Sequence, residues 1–277
     1  MNFIVASPTG LCFGVRRAIE RLEAALKEYG TVYALGSPIH NPQEVARLAG
    51  QGLKLVQSAS EVPGGSVAFV RAHGLSRVEM REIECRARVV IDGTCPFVRT
   101  AHERAEALAG EGYLVMILGD SNHPEVRGIL GHIDGKSIVI SGADDIDERA
   151  RYPRVGVLSQ TTQKESSLAE ALAKLVFVTG EIKVYNTICR ATIERQESIR
   201  KLAADVDGVV VIGGRNSANT RKLVEIAESE GVSVLWIEHS GELDRGWMRG
   251  KNAIGVAAGG STPDWLINEL TQLLQTL

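Results

Sequence analysis

The sequence predicts an α/β fold of three similar units, each a parallel-type sheet with flanking helices, around a pseudo-threefold axis. Two observations predict it. Three segments run strand, tight turn, cysteine, helix, and a glycine that ends a further strand follows each cysteine by 24 residues. Such self-similarity at a fixed spacing is typical of a repeat architecture. The cysteines are Cys12, Cys95 and Cys189, and the glycines are Gly36, Gly119 and Gly213.

The first element of each unit contains the cysteine. The three segments are ASPTGLCFGVRRAIERLEAAL, VVIDGTCPFVRTAHERAEAL and KVYNTICRATIERQESIRKLA. A short apolar run predicts the strand before the cysteine, and apolar positions three and four apart, such as Val15, Ile19 and Leu22, predict the helix after it. The Val-Arg pair at 15–16 recurs at 98–99.

The second element runs strand, glycine, polar loop, helix in YALGSPIHNPQEVARL, MILGDSNHPEVRGIL and VVIGGRNSANTRKLVEIA. An intervening strand follows as GLKLVQ, KSIVIS or VSVLWIE, and a third element as VAFVRAHGLS, VGVLSQTTQ or IGVAAGGSTP. Alternating strands and helices favour parallel sheets. We therefore expect units at 14–94, with Cys12 at the entry, at 95–188, and at 189–277 completed by 1–13.

Composition and charge exclude several classes of protein. A net charge of −3 over 277 residues lacks the positive balance of a nucleic-acid binder. No apolar stretch reaches the roughly 20 residues that span a bilayer, and the first residues lack a positively charged segment, so we expect a cytoplasmic protein. Four cysteines in a reducing compartment are more typical of metal ligands, nucleophiles or core residues than of disulfides.

The three repeated cysteines are predicted to bind a metal or a cluster. A thiol at a helix start has a lowered pKa and becomes a thiolate more readily, and the equivalent placement disfavours three separate core roles. The thiols would meet on the pseudo-threefold axis. Zinc with a fourth ligand and an iron-sulfur cluster with one unprotected iron both remain open. Cys85, in REIECRARVV outside the repeat, is predicted to fill core.

The loops at the carboxyl ends of the strands supply hydrogen-bond donors from all three units. In α/β sheets ligands bind at this edge, and such donors suit a phosphate or diphosphate. The predicted donors are His40, His73, His123, Ser217, Asn219 and Ser261. Glu125 in HPEV is a candidate proton donor, although an acidic residue there could simply favour a helix N-terminus. His102, His132 and His239 are predicted to be packing residues.

Nine motifs in order resemble the 4-hydroxy-3-methylbut-2-enyl diphosphate reductase family, also called IspH or LytB, nearly end to end. They are GLCFGVRRAIE, IHNPQEV, RAHGLS, DGTCP, HPEVRG, SQTTQ, NTICRATIERQE, RNSANT and GGSTPD. The resemblance implies a central 4Fe-4S cluster on Cys12, Cys95 and Cys189, whose open iron takes the substrate's allylic hydroxyl. It implies that the six donors hold the diphosphate, that Glu125 supplies the proton, and that Thr161 links Glu125 to the hydroxyl.

The implied reaction is the reductive dehydroxylation of 4-hydroxy-3-methylbut-2-enyl diphosphate to isopentenyl and dimethylallyl diphosphates, the last step of the methylerythritol phosphate route to isoprenoids. A ferredoxin or flavodoxin is the implied electron donor, and we expect a monomer. Two residues depart from the family pattern: Ala218 replaces the second serine of SSN, and Glu194 replaces the asparagine of ATTNRQ. The rival functions are another threefold 4Fe-4S dehydratase, similar to quinolinate synthase, and a non-enzymatic iron-sulfur redox sensor.

Overall fold

A computed structural model describes residues 2–276 of the chain. Within that range, 12 strands form three sheets of four, and all strand pairs are parallel. The α/β prediction with three similar units is therefore confirmed. The strands are β1 (Asn2–Val5), β2 (Val32–Leu35), β3 (Leu53–Val56), β4 (Val67–Val70), β5 (Val89–Asp92), β6 (Leu114–Leu118), β7 (Ser137–Ile140), β8 (Tyr152–Ser159), β9 (Thr179–Val184), β10 (Gly208–Ile212), β11 (Ser233–Ile237) and β12 (Ala253–Ala258).

The helices follow the predicted elements, each between two strands or after the last one. They are α1 (Phe13–Tyr29), α2 (Pro42–Gly50), α3 (Arg77–Arg86), α4 (Pro96–Gly110), α5 (Pro124–Leu130), α6 (Glu165–Val178), α7 (Arg190–Ala204), α8 (Ala218–Ser229), α9 (Arg245–Met248) and α10 (Asp264–Gln275). Among the described residues, no helix combines the length and the apolar character that crossing a bilayer requires.

The strand order is the same in all three sheets. It reads β3-β2-β4-β5, β7-β6-β8-β9 and β11-β10-β12-β1. In each sheet one edge strand leads into a cysteine, and β1 fills this place beside β12 from the other end of the chain. After the opposite edge strand a short 3-10 turn recurs, at Ala59–Glu61, Ala143–Asp145 and Ser240–Glu242. The repeat read from the sequence is thus present in the backbone.

Each glycine at the 24-residue spacing has the same hydrogen bond. The N–H of Gly36 donates to Val56, that of Gly119 to Ile140 and that of Gly213 to Ile237, in each case the last residue of the neighbouring strand. Gly36 and Gly213 have positive φ angles of 67° and 153°, which an L side chain rarely adopts. The polar loops therefore leave their sheets at equivalent points.

The two inner strands of each sheet are largely buried, as parallel strands covered by helices usually are. In β10, Val209 and Val211 pack toward α7 and α8, whereas Val210 and Ile212 pack toward α10. In the β6 sheet, Val115 and Ile117 pack with α4 and α5. Helices on both faces of a sheet leave the strand ends as the accessible edge for polar residues.

Contact density divides the chain into two compact bodies. The terminal body comprises the residues up to Arg16, Ile39–Gly50 and the chain from Arg190 onwards, and it contains the β10 sheet. The central body comprises Arg17–Pro38 and Gln51–Cys189, and it contains the β2 and β6 sheets. Each sheet falls within one of the three predicted units. The boundaries 14–94, 95–188, and 189–277 with 1–13 stay a prediction at this finer level.

Candidate functional site

All three repeated cysteines are fixed by the same backbone hydrogen bond. The Cys12 N–H donates to Gly260 O at 3.0 Å, the Cys95 N–H to Ala72 O at 3.0 Å and the Cys189 N–H to Thr161 O at 2.9 Å. Each acceptor lies two residues beyond the end of the adjacent strand, β12, β4 or β8. All three cysteines are half-buried and lie at or just before a helix start. Their side chains therefore start from equivalent points of the three sheets.

Two of the turns before the cysteines are closed by side chains. The Thr94 N–H donates to Asp92 Oδ1 at 2.8 Å, and the Ile188 N–H donates to Asn186 Oδ1 at 3.1 Å. Aspartate and asparagine form such turns with a backbone N–H two residues on. Pro96 then opens α4 directly after Cys95, where a missing N–H costs nothing. The sequence thus forms a tight turn before Cys95 and before Cys189.

Glu125 is the buried carboxylate of the central body. It is 2% exposed, and Thr161 donates to both its oxygens, from the backbone N–H at 2.6 Å and from Oγ1 at 2.9 Å. Burial raises the pKa of Glu125 to about 7, and the two Thr161 hydrogen bonds oppose that rise. A carboxyl group with this pKa holds a proton near neutral pH and can also release it.

The loop before Glu125 carries His123, which caps α5. The Glu125 N–H donates to His123 Nδ1 at 3.2 Å, so a neutral His123 carries its proton on Nε2. The ring of His73 meets that of His123 edge to face, with the ring centroids 5.3 Å apart. The central body therefore brings two of the predicted histidines together.

Gln160 ties this loop to the end of β8. Its Oε1 accepts from the Asp120 N–H at 3.1 Å, and its Nε2 donates to Thr162 Oγ1 at 3.0 Å. Gln160 is 1% exposed. The amide thus holds the Asp120 turn, which leads into His123, against the loop that contains Thr161. Sequence analysis missed Gln160, although it stands in the motif SQTTQ.

In the terminal body, Ser217, Ser261 and His40 come together. Ser261 Oγ lies 3.0 Å from Ser217 Oγ and 3.4 Å from the carbonyl oxygen of His40. Ser217 caps α8 by accepting from the Thr220 N–H. A side chain at Gly214 would collide with the His40 carbonyl. The glycine therefore allows the two loops to approach closely.

Asn219 lies beside Cys12 across Gly260. A Cβ placed on Gly260 would come 3.1 Å from Asn219 Nδ2 and 3.7 Å from Cys12 Sγ. The buried Oδ1 of Asn219 has no hydrogen-bond partner among the described residues. The side-chain amide can present an acceptor there or, after a half-turn, a donor. Gly260 therefore lets Asn219 and Cys12 pack closely against its backbone, and the unsatisfied Oδ1 is a polar atom that a bound group could use.

Two further polar groups in the terminal body were missed by sequence analysis. Thr220 Oγ1 and Asn41 Nδ2 are buried and lack hydrogen-bond partners among the described residues. Thr220 lies against Gly213, and Asn41 caps α2 through its Oδ1. Both stand inside motifs quoted above, RNSANT and IHNPQEV, so their position next to predicted donors was the available signal.

The structure corrects two smaller predictions. Cys85 is exposed on α3 rather than buried in the core, because α3 buries Ile83 and turns the cysteine toward solvent. His239 is exposed beside Glu242 and is not a packing residue. The packing prediction is confirmed for His102, which is 6% exposed and stacks on the half-buried His132 with ring centroids 4.2 Å apart.

By the sequence pattern alone, the third elements end in His73, Thr161 and Ser261 at equivalent positions, but the structure shifts Thr161 by one residue relative to the other two. By the cysteine hydrogen bonds, Thr161 corresponds to Ala72 and Gly260. His73 and Ser261 then correspond to Thr162. Thr161 differs from its two counterparts in having a hydroxyl group, and that hydroxyl contacts Glu125.

Comparison with known proteins gives a consistent result. The family described as LytB protein matches residues 3–275. The 4-hydroxy-3-methylbut-2-enyl diphosphate reductase of Aquifex aeolicus is 42% identical, over 100% of this chain and 97% of that relative. The corresponding reductase of Geobacter sulfurreducens is 39% identical, over 99% of this chain and 97% of its own length.

The chain belongs to the LytB family.

Solved structures agree with this membership. One, described as (E)-4-hydroxy-3-methyl-but-2-enyl diphosphate reductase, the terminal enzyme of the non-mevalonate pathway, is 41% identical with a TM-score of 0.74, and all of both chains is covered. The E-1-hydroxy-2-methyl-but-2-enyl-4-diphosphate reductase of Plasmodium falciparum is 26% identical with a TM-score of 0.89, over 100% of this chain and 87% of that one. Membership of the LytB family implies an iron-sulfur cofactor and a diphosphate substrate.

The two residues that depart from the LytB family pattern, Ala218 and Glu194, leave the local helix structure intact. Ala218 is the first residue of α8, directly after the capping Ser217, so the N-terminal cap of that helix is intact. Glu194 forms an ion pair with Arg190 one helical turn earlier in α7, at 2.8 Å. A pair this exposed contributes little to stability. Neither departure changes a contact of Cys12, Cys95, Cys189 or Glu125 described above.

The raised pKa of Glu125 predicts a pH-dependent difference in stability between the wild type and Glu125→Gln. A group whose pKa is raised by folding stabilises the protein fully below its unfolded value, here 4.5, and loses that contribution as the pH rises through about 7. We expect Glu125→Gln to gain roughly 3 kcal/mol relative to wild type between pH 4.5 and 7.5. Denaturant unfolding of both proteins across this range measures the difference. A difference that does not change with pH would contradict the burial argument.

Proposed function

We propose that the chain reduces (E)-4-hydroxy-3-methylbut-2-enyl diphosphate to isopentenyl and dimethylallyl diphosphates. The reaction takes two electrons and two protons, breaks the allylic carbon-oxygen bond and releases water. The observation that carries the proposal is the buried Glu125, which is held by Thr161 on both carboxylate oxygens. The carbonyl of the same Thr161 receives the N–H of Cys189. A proton donor is therefore tied directly to a proposed cofactor ligand.

We assign Cys12, Cys95 and Cys189 as ligands of a 4Fe-4S cluster with one open iron. Their matching backbone bonds and half-buried side chains support one shared role. When bound, such a cluster supplies electrons and a Lewis-acidic iron for the leaving hydroxyl.

The diphosphate is assigned to His40, His73, His123, Ser217, Asn219 and Ser261. Ser217 and Ser261 are both buried and hydrogen-bonded to each other in the terminal body, so their hydroxyl groups are already oriented. Ser217 also lies at the N-terminus of α8, where backbone N–H groups favour an anion. His73 and His123 are in ring contact within the central body.

Glu125 and Thr161 are assigned to proton delivery. Thr161 Oγ1 is within hydrogen-bond distance of Glu125 Oε2, so a hydroxyl group can relay a proton from the buried acid. Both residues are almost inaccessible to solvent. Exclusion of water protects the electron-rich allyl group from adventitious protonation, and the second proton is assigned to the bound diphosphate.

The electron donor is proposed to be a ferredoxin or flavodoxin, and the chain is proposed to act as a monomer. The rival functions have less support. A quinolinate-synthase-like dehydratase would carry different loop motifs around its cysteines, whereas the LytB family matches residues 3–275 of this chain. A redox sensor has no use for the Ser217–Ser261 pair and its neighbouring donors.

The ligand assignment predicts that Cys12→Ser, Cys95→Ser and Cys189→Ser each weaken or abolish cluster assembly, because an open-iron cluster has no spare thiolate. Cys85→Ser is the matched control, since Cys85 is exposed on α3. Iron and sulfide are measured on anaerobically purified protein. Full iron in all three variants, or loss of iron in Cys85→Ser, would refute the assignment.

The anion assignment predicts that His40→Ala and Asn219→Ala weaken substrate binding by about ten- to a hundredfold, the scale of a hydrogen bond to a charged group. Iron content should stay near that of the wild type. Calorimetry on anaerobic protein measures the affinity. The exposed His239→Ala and Asn252→Ala serve as controls, and equal affinities in all four variants would remove His40 and Asn219 from the site.

The proton-delivery assignment predicts that Glu125→Gln keeps the cluster and binds substrate but loses on the order of 100-fold or more in turnover. Glutamine preserves the shape and can still accept from the Thr161 N–H, yet it supplies no acidic proton. Reductase turnover is measured beside substrate affinity under strict anaerobiosis. If Glu125 served only the N-terminus of α5, turnover would stay near that of the wild type.

A further inference from the structure

A buried carboxylate joins the loops that carry His40 and Ser261. Glu44 is 2% exposed and lies four residues after His40, in the first turn of α2. Its Oε2 accepts from Trp265 Nε1 at 2.9 Å. Trp265 lies four residues after Ser261, in the first turn of α10. The hydrogen bond therefore connects two helix starts, and each of them follows a loop with a proposed diphosphate donor.

Arg47 completes the surroundings of this carboxylate. Its Nε donates to Glu44 Oε2 at 2.9 Å, and its Nη2 donates to Oε1 at 2.6 Å. Hydrogen bonds to a charged group are stronger than neutral ones, and the two-pronged arginine pair fixes the plane of the carboxylate. A buried carboxylate that loses its donors is strongly destabilised. Glu44 is thus held in one orientation, with one lone pair directed at the indole of Trp265.

The path of the chain makes this bond more than local packing. Ile39–Gly50 belongs to the terminal body, whereas Pro38 and Gln51, its neighbours along the chain, belong to the central body. Covalent continuity therefore does not keep α2 beside α10, and contacts within the terminal body must do so. Two other contacts join the same loops. Ser261 Oγ donates to the His40 carbonyl oxygen, and the absence of a side chain at Gly214 leaves room for that carbonyl.

We propose that Glu44 and Trp265 are positioning residues that hold His40 at the right distance from the Ser217–Ser261 pair, and so set the affinity for the diphosphate. The inference rests on the proposed function and deepens it. Neither side chain needs to touch the substrate, because each one fixes the position of the loop that precedes its helix. Loss of the bond frees the first turn of α2, and the imidazole of His40 then adopts several positions.

The test uses two variants that remove different parts of the link. Trp265→Phe keeps an aromatic ring and deletes the N–H, and Glu44→Gln keeps an acceptor but loses the charge that holds Arg47. Their controls are Trp247→Phe, in the same body on α9, and the exposed Glu228→Gln on α8. The cluster-loaded protein is assayed for kcat and KM, and the Kd for inorganic pyrophosphate is measured by calorimetry.

We expect KM and the pyrophosphate Kd to rise about tenfold in both variants, the effect of losing about one hydrogen bond to a charged group. Iron content and kcat should stay within about twofold of wild type, as for a loss of uniform binding. The double variant should bind pyrophosphate no more weakly than the single variant with the lower affinity, because both changes break the same hydrogen bond. A merely structural role would lower thermal stability without this division between KM and kcat.

Unchanged KM and Kd in both variants, equal effects in the controls, or a fall in kcat at constant KM would each overturn the positioning role. The proposed function fails separately, if the loaded wild-type protein does not turn over the hydroxylated diphosphate. Pyrophosphate binding then still decides the present proposal. An unchanged Kd in Trp265→Phe would overturn it, and a weakened one would support it.

Discussion

The position of each cysteine depends on one backbone hydrogen bond, from its own N–H to a carbonyl two residues beyond the neighbouring strand. That bond extends the ladder of a parallel sheet past its last regular pair, so the thiol and the adjacent polar loop are fixed together. At Cys95 the loop continues into His73, at Cys12 it continues into Ser261, and at Cys189 the acceptor is Thr161 itself. A shift of either strand would therefore move a proposed cofactor ligand and a proposed substrate contact at once. The rigid, doubly covered sheets are what make such a shift costly.

Glu125 can be deeply buried because Thr161 satisfies its carboxylate. Its two acceptor oxygens take the N–H and the hydroxyl of Thr161, so the carboxylate is satisfied without water. These bonds do not offset the burial, and the pKa of Glu125 stays near 7. An acid in this position gives up its proton to a stronger base at neutral pH and recovers it readily. The amide of Gln160 maintains the arrangement by holding the preceding turn against the end of β8.

Much of this arrangement could be predicted from the sequence, because short apolar runs, glycines at constant spacing and helix starts are local signals. The three sheets and the placement of Cys12, Cys95 and Cys189 at strand ends follow from those signals alone. The prediction that failed was the burial of Cys85. The helix α3 is weakly amphipathic and buries only part of one face, so REIECRARVV alone does not show whether Cys85 faces the core or the solvent. The one-residue offset at Thr161 also escaped prediction, since it depends on hydrogen-bond register rather than on the spacing of apolar residues.

The division of the chain into bodies marks a second limit of local signals, and it bears directly on His40. By spacing from Cys12, His40 belongs to the first repeat, whose sheet lies in the central body. By packing, its helix belongs to the terminal body with Ser217, Asn219 and Ser261. The hydrogen bond between Glu44 and Trp265 joins residues 221 positions apart in the sequence, and the periodicity of α2 or α10 does not predict it. Because α2 of the first repeat packs in the terminal body, His40 lies beside Ser261 of the third repeat. The proposed anion donors of this body therefore come from two repeats.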